Sequence, residues 1–254
     1  MFKTSALSIL AALALLPAIG TLEAQRGRSG GPSQGRQPQG RWLFDDSNLD
    51  KRPLAADPNE EKILKVLEEI AQTDNTQLLV ALEDARLLRM LAESTGARNV
   101  VEIGTYKGYS ALWFCLALRN TGGRITTHEI NAKNVALAQA NFKKAGVEDL
   151  VTIVEGDAHE TVTKLKGPID ILFMDADKPG FADYLKKLLP LVRPGGLILA
   201  HNTTNTGRQM PDYFTAVTTN PNLDSIFLGQ QSIGIGVTLK KTPLRRTADD
   251  KAVR

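Results

Sequence analysis

Two short polar stretches of the chain carry residue types that could do chemistry together. "FMDADK" places Asp175, Asp177 and Lys178 directly after an apolar run, and "LILAHN" places His201 and Asn202 directly after another. Carboxylate, imidazole and amide groups are metal-ligand types, and an amine can transfer a proton. Charged groups at the end of a buried strand are costly to desolvate unless they bind something. The bland alternative is that polar loop residues simply follow two strands; we favour a ligand site.

A glycine turn and a distant acid indicate a nucleoside-like ligand beside these groups. In "VVEIGTYKGYSAL", Gly104 and Gly108 have the spacing G-x-x-x-G, not the G-x-G-x-x-G of dinucleotide pyrophosphate sites. Such a turn lets a ligand approach the backbone and offers amide donors at a helix N-terminus. Glu129 ends the next apolar run, 25 residues after Gly104, where an acid can accept both hydroxyl protons of a ribose. Asp157 in "EGDAHE" either caps a helix or faces an adenine.

The elements that must position these groups alternate along the chain. Five strand signals, beginning with "NVVEIG" and ending with "GGLILAHN", are each followed by a helical pattern, which predicts a mostly parallel sheet with helices on both faces. The closing stretch "DSIFLGQQSIGIGVTLKK" predicts a hairpin that adds one antiparallel strand. Two helices precede the first strand, with Asp57 as N-cap and Pro58 at the first helical position. We expect them at the carboxyl edge of the sheet, where ligands bind.

The order of these motifs resembles that of the cation-dependent O-methyltransferases. The glycine turn, the acid of the second strand, "GDA", "DADK" and a strand ending in x-Asn follow one another as in that family, which includes catechol and caffeoyl-coenzyme A O-methyltransferases and many bacterial relatives. The resemblance covers roughly Thr76 to Lys240. It implies the Rossmann-like fold that binds S-adenosylmethionine (SAM), an α/β architecture with a seven-stranded, mostly parallel sheet.

The resemblance also implies roles for individual residues. Asp175 and Asn202 match two metal ligands, and Lys178 matches the general base, with Asp175 beside it in the catalytic group. The implied cofactor site surrounds three parts of SAM. Glu102, Gly104, Thr105 and Ser110 match residues around the methionine part. Glu129 matches the residue at the ribose, and Asp157 and Ala158 match those at the adenine, with Asp175 beside them.

His201 departs from the family pattern, which has a second aspartate where this chain has histidine. Two hypotheses follow. The imidazole ligates a divalent cation, favouring Mn, Fe, Co or Zn over Mg because its nitrogen is a softer donor than oxygen. Alternatively the metal is lost, and His201 acts in acid–base chemistry or hydrogen bonding. Because Asp175, Lys178 and Asn202 are retained, the sequence favours a metal held by Asp175, His201 and Asn202.

The two ends of the chain predict processing and a tether. Residues 1–24 have a lysine, a short apolar run and then small residues, typical of a signal peptide for export to the periplasm or exterior, with an uncleaved membrane anchor as the alternative. Residues 25–56, which begin with a Gly-, Ser-, Pro- and Arg-rich stretch, are expected to form a flexible tether. The methyltransferase domain is expected at 57–240, with a charged tail at 241–254. The lone Cys115 lies in an apolar helical stretch and is interpreted as a core residue.

The net charge of the predicted folded region argues against a surface that binds nucleic acid. Residues 25–41 and residues 240–254 each contribute +4, and the charges of the first 24 residues cancel, so a net charge of +3 leaves −5 for residues 42–239. An acidic core is not suited to nucleic acid.

The expected function is metal-assisted methyl transfer from SAM to the hydroxyl of a small, catechol-like substrate, by a homodimer without a membrane span after cleavage. The alternatives are a SAM-binding protein with lost or metal-independent activity, a tRNA hydroxyuridine methyltransferase, and a nicotinamide-dependent dehydrogenase. The glycine spacing argues against the dehydrogenase.

Overall fold

The computed structural model describes residues 52–73, 78–204, 206–229 and 233–243. The predicted signal peptide at 1–24 lies outside the described residues, as do most of the predicted tether and tail. Within the described ranges, no helix has the length and apolar character needed to cross a membrane.

Seven strands form one sheet with the order β3-β2-β1-β4-β5-β7-β6. All neighbours pair in parallel except β7, which is antiparallel to both β5 and β6. The mostly parallel sheet and the closing hairpin are therefore confirmed. The strands are β1 (Asn99–Ile103), β2 (Arg124–Glu129), β3 (Val151–Glu155), β4 (Ile169–Met174), β5 (Val192–His201), β6 (Leu223–Leu228) and β7 (Ile235–Lys240).

In the described part of the chain, seven α-helices connect or precede these strands: α1 (Pro58–Ala71), α2 (Leu82–Ser94), α3 (Tyr109–Thr121), α4 (Ala132–Ala145), α5 (Ala158–Thr161), α6 (Phe181–Leu188) and α7 (Pro211–Thr219). The N-cap predicted at Asp57 is present, since its side chain accepts hydrogen bonds from the backbone N–H groups of Asn59 and Glu60.

Two helices differ from the sequence prediction. The second helical pattern in the sequence starts at Thr76, which lies outside the described residues, and α2 begins only at Leu82, after the non-helical Ala81 with φ −56° and ψ 147°. The helix expected after β3 is the single turn α5, followed by a 3-10 turn over Val162–Lys164. Consecutive β-branched residues in "ETVTK" restrict side-chain rotamers in a helix, which accounts for the early end.

The core lies in two layers, one on each face of the sheet. Alternate strand residues face opposite ways: Phe173 packs in the layer that contains α1 to α4, and Leu172 in the layer that contains α6 and α7. Because α1 and α2 pack against α3, α3 is buried over ten consecutive residues, Cys115 among them. The core role predicted for this cysteine is confirmed.

Chain order reverses between β1 and β4, which are neighbours at the centre of the sheet. At such a switch point the connections leave in opposite directions, and a crevice opens at the carboxyl ends of the strands. The first turn of α2 also reaches this edge, because Asp84 lies within ion-pair distance of the last residue of β5.

Candidate active site

A cavity of about 580 Å³ opens at the carboxyl ends of β1, β2, β4 and β5. Most of the residues singled out in the sequence line it together, although they come from five separate segments of the chain. They are Gly104, Thr105, Ser110, Glu129, Asp157, Ala158, Asp175, Lys178, His201 and Asn202.

The glycine turn after β1 is shaped by close backbone contact with β4. Gly104 has φ +97°, and a Cβ atom there would lie 2.5 Å from the carbonyl oxygen of Asp175. No other residue type fits without moving the strand ends apart. Tyr106 in the same turn also has a positive φ, of 50°. Strain of this kind is tolerated where the surrounding structure fixes it, often beside a ligand.

Glu129 is held rigidly at the end of β2. Its Oε2 accepts a hydrogen bond from the backbone N–H of Tyr106 at 2.8 Å, and its Oε1 accepts one from the backbone N–H of Asn131 at 2.9 Å. Each carboxylate oxygen keeps a further lone pair. The carboxylate can therefore accept two hydroxyl protons from a ribose in the cavity.

Glu102 lies behind the cavity wall and does not line it. Its oxygens accept hydrogen bonds from Ser110 Oγ at 2.5 Å and Thr127 Oγ1 at 2.6 Å. Burial raises the pKa of Glu102 to about 8, against the lowering effect of these two hydroxyls. The cofactor-binding role that the resemblance suggests for Glu102 stays a prediction; from this position it would act by orienting Ser110.

The segment after β3 brings Asp157 and Ala158 to the cavity. Asp157 caps α5 by accepting a hydrogen bond from the backbone N–H of His159 at 2.8 Å, so the capping interpretation is confirmed. The sequence analysis missed His159, whose ring lines the cavity and stacks on Tyr184 with centroids 4.4 Å apart. Its Nδ1 lies 2.5 Å from an oxygen of Asp183, and this hydrogen bond raises the pKa of His159.

Asp175 and Lys178 form a close pair just beyond β4. Lys178 Nζ donates a hydrogen bond to Asp175 Oδ1 at 2.9 Å, and it lies 4.8 Å from the centroid of the Phe181 ring. The 3-10 turn Lys178–Gly180 that follows Asp177 points the lysine back over the strand end. Both side chains border the cavity, so the pair expected for catalysis is brought together.

His201, at the end of β5, lies between two carboxylates. Its Nδ1 is 3.2 Å from Asp175 Oδ2, and its Nε2 is 3.4 Å from Asp84 Oδ2. The second contact is an ion pair without hydrogen-bond alignment, since neither atom has a hydrogen-bond partner. The side chain of His201 is 2% exposed. Sequence reasoning missed Asp84, because an acid in the first turn of a helix is common and favourable there.

These charges determine the protonation of the corner. Burial lowers the pKa of His201, but the charges of Asp175 and Asp84 outweigh burial and raise it to about 9. Burial likewise raises the pKa of Asp175, yet His201 and Lys178 together hold it below its usual value. The raised pKa of His201 favours its imidazolium form at neutral pH, next to Asp175.

As arranged, the corner does not fit the divalent cation that the family resemblance implies. Each oxygen of Asp175 contacts a positively charged partner, Lys178 or His201, and these charges repel an incoming cation. His201 Nε2 and Asp84 Oδ2 are buried, and Asp84 does not line the cavity. Among the described residues, no group of three or more His, Cys, Asp or Glu side chains could hold a metal. The metal-ligand role suggested for Asp175, His201 and Asn202 stays a prediction, and the pairing argues against it.

Asn202 follows β5 in a left-handed conformation, with φ 63°. Asparagine tolerates this region better than most residues, because its short amide side chain can hydrogen-bond locally. The conformation turns the chain sharply after His201, and Asn202 lines the cavity beside it.

The chain is similar to known O-methyltransferases over most of the described region. A family model described as O-methyltransferase matches residues 54–218. A catechol O-methyltransferase from Niastella koreensis is 34% identical over 160 residues, which cover 61% of this chain and 72% of that protein. A caffeoyl-CoA O-methyltransferase from Eucalyptus globulus is 35% identical over 156 residues, and the match spans 59% of this chain but only 63% of the plant protein.

A solved structure gives the same result. The O-methyltransferase from Bacillus cereus in complex with SAH superposes with a TM-score of 0.63 at 26% identity, covering 74% of this chain and 93% of that one. The family model spans more than half of the chain, and the seven-stranded sheet agrees with it. The chain therefore belongs to the O-methyltransferase family, and it has the Rossmann-like fold of SAM-dependent O-methyltransferases.

Proposed function

We propose that the protein transfers a methyl group from SAM to a hydroxyl of a small phenolic molecule. One observation carries the proposal: Glu129 with the glycine turn, and Asp175 with Lys178, line the same cavity. A nucleoside-type methyl donor and an acceptor oxygen can therefore lie side by side. SAH in the Bacillus cereus relative and the substrates named for the catechol and caffeoyl-CoA relatives support this choice.

The reaction is a displacement at the methyl carbon. The substrate oxygen forms a bond to that carbon while the carbon–sulfur bond breaks and its electron pair stays on sulfur, leaving SAH. The hydroxyl proton goes to a base, and Lys178 is the amine placed to accept it once its own proton has left for solvent. Much of the catalysis is alignment of oxygen, carbon and sulfur by the walls of the cavity.

The cofactor would lie with its ribose against Glu129. The methionine end would lie along Gly104, Thr105 and Ser110, where the turn leaves room against the backbone. The adenine would lie between the turn and the segment of Asp157 and Ala158. Every one of these residues borders the cavity.

Methyl transfer itself is the decisive test. The purified full chain is titrated with SAM and with NAD by calorimetry, and methyl transfer to a panel of phenols and catechols is followed by mass spectrometry. We expect binding of SAM but not NAD, and a methyl ether as product. Binding without turnover on any substrate would favour a SAM-binding protein without this activity.

Lys178→Met tests the base. General-base groups contribute about 10²–10⁴-fold to rate, so kcat should fall by that order while the dissociation constant of SAM stays the same. Lys186→Met, on a neighbouring helix and absent from the cavity lining, is the matched control. Equal activity of both variants would remove Lys178 from the mechanism.

A further inference from the structure

We propose that His201 is a built-in cation that takes the place of a divalent metal, so that this chain transfers methyl groups without one. The inference deepens the proposed function and rests on it for the reaction, although its metal-binding prediction stands alone. It is carried by the contacts between His201, Asp175, Asp84 and Lys178.

The contacts of the two ring nitrogens indicate the charge of the His201 ring. A neutral imidazole has one N–H donor and one acceptor nitrogen. Each ring nitrogen of His201 faces a carboxylate oxygen, at 3.2 Å and 3.4 Å. A lone pair aimed at a carboxylate in a buried position would be repelled and unsatisfied. Only the doubly protonated ring is attracted on both sides.

The charges of the corner balance without a metal. The two carboxylates of Asp84 and Asp175 are matched by the imidazolium of His201 and the ammonium of Lys178. With aspartate in place of His201, three carboxylates would face one ammonium. The surplus would then be two negative charges, which is the charge of one divalent cation. Histidine at this position removes the electrostatic reason for binding a metal.

The positions of the candidate ligand atoms also argue against a bound metal. A cation entering from the cavity would meet Asp175 with both oxygens already engaged by positive groups. The contact between His201 Nε2 and Asp84 Oδ2 is buried, so an ion in the cavity does not reach it directly. A metal would have to displace two hydrogen-bonded cations and gain one amide oxygen, that of Asn202.

Substrate selection should change as a result. A fixed imidazolium beside Asp175 stabilises one developing phenolate oxygen electrostatically. It cannot chelate two oxygens at once. The chain should therefore accept simple phenols about as well as catechols, whereas a metal-chelating site would prefer the vicinal diol.

The test compares wild type with His201→Asp and His201→Asn in the full chain. Each protein is treated with EDTA and dialysed, its metal content is measured by plasma mass spectrometry, and MgCl₂ and MnCl₂ are titrated calorimetrically. Methyl transfer is then measured with excess EDTA and with each metal. SAM binding shows that each variant is folded.

Wild type should bind neither metal and be equally active with EDTA and with metal. His201→Asp should gain stoichiometric metal binding and lose about 10²-fold or more of its activity in EDTA, since it lacks the electrostatic group. His201→Asn, the matched control without a third carboxylate, should bind no metal and be weakly active throughout.

Metal binding by wild type, or activity abolished by EDTA and restored by Mg²⁺ or Mn²⁺, would overturn the inference. So would a folded His201→Asp protein that binds no metal. If every protein binds SAM but none transfers a methyl group, the proposed function fails, while the metal titrations still decide the role of His201.

Discussion

At the scale of single residues, the surroundings of two acids shift their pKa values in opposite directions. Glu102 is fully buried with hydroxyl partners only, so its pKa rises to about 8. Asp175 is half-buried and lies between two cations, so its pKa falls below the usual range. Glu129 is fixed by two backbone N–H groups. The three carboxyl groups therefore differ in their surroundings: Glu102 contacts hydroxyls, Asp175 contacts cations, and Glu129, the proposed ribose acceptor, contacts backbone N–H groups.

Glu129→Ala should weaken SAM binding by about 1.5–3 kcal/mol, the range for hydrogen bonds to a charged group. The loss should appear in the calorimetric dissociation constant, with the fold checked by circular dichroism. Glu155→Ala is the matched control, because Glu155 pairs with Glu129 at the end of the adjacent strand but is exposed and absent from the cavity lining. Equal dissociation constants for the two variants would leave Glu129 as a strand-end acid only.

Protonation of His201 should make folding stability depend on pH. Its pKa rises from 6.5 in the unfolded chain to about 9 in the folded protein, so between those values the folded state holds a proton that the unfolded state has released. The stabilisation is complete below pH 6.5 and is lost as pH rises through about 9. Its size is up to about 3 kcal/mol.

Urea unfolding of wild type and His201→Asn at pH 6 and pH 10 measures this contribution. The free energy of unfolding should fall more steeply with pH in wild type. Glu102 titrates in the same range but is present in both proteins, so the difference between them isolates His201. Parallel pH curves would show that the ring is neutral in the folded protein.

At the scale of elements, the site depends on how closely the ends of β1 and β4 approach. The backbone N–H of Asp175 donates to the carbonyl oxygen of Ile103 at 2.9 Å, and Gly104 passes directly over the Asp175 carbonyl. The same contact therefore positions both the glycine turn, which is proposed to bind the cofactor, and the carboxylate of Asp175. A change in one is transmitted to the other.

Gly104→Ala should destabilise the protein by about 2–4 kcal/mol, because it adds a clash with backbone to the strain of a positive φ. Gly96→Ala is the matched control: its φ is +61°, but a Cβ there meets nothing within 4 Å, so only the conformational cost of about 1–2 kcal/mol applies. Chemical unfolding gives both values. The Gly104 variant should also bind SAM more weakly; a stability equal to that of the control would mean that the strand ends can separate freely.

At the scale of the whole molecule, the α/β domain is one part of a chain with basic ends. The acidic balance of residues 42–239 and the concave site suit a small substrate rather than a nucleic acid. Export through the first 24 residues and assembly as a homodimer stay predictions. Export would also require a supply of SAM outside the cytosol.

The mature protein should begin near Gln25, since the apolar run of the first residues is followed by small residues. N-terminal sequencing and intact mass of protein isolated from its natural source measure the cleavage site. Recovery of Met1 or Phe2 would contradict cleavage and leave an anchored or unexported protein. Size-exclusion chromatography with light scattering on the same material tests the homodimer.

The sequence by itself determined the fold and the membership of the site. Alternating apolar runs, glycine after β1 and polar residues at each strand end are local patterns, and parallel strands bring their carboxyl ends to one edge. The cavity consequently contains Glu129, Asp175, Lys178, His201 and Asn202 as expected. Chain order and periodicity were enough to predict that these side chains share one edge of the sheet.

Only the tertiary structure decided what the site residues contact. Asp84 and His201 are far apart in sequence, and their contact exists because α2 packs on α3 with its first turn at the end of β5. Glu102 accepts a hydrogen bond from Ser110 for a similar reason, since the first turn of α3 lies next to β1. No local pattern encodes the distance between a helix side chain and a strand end. That distance decides whether the histidine of the "HN" pair is a metal ligand or a cation.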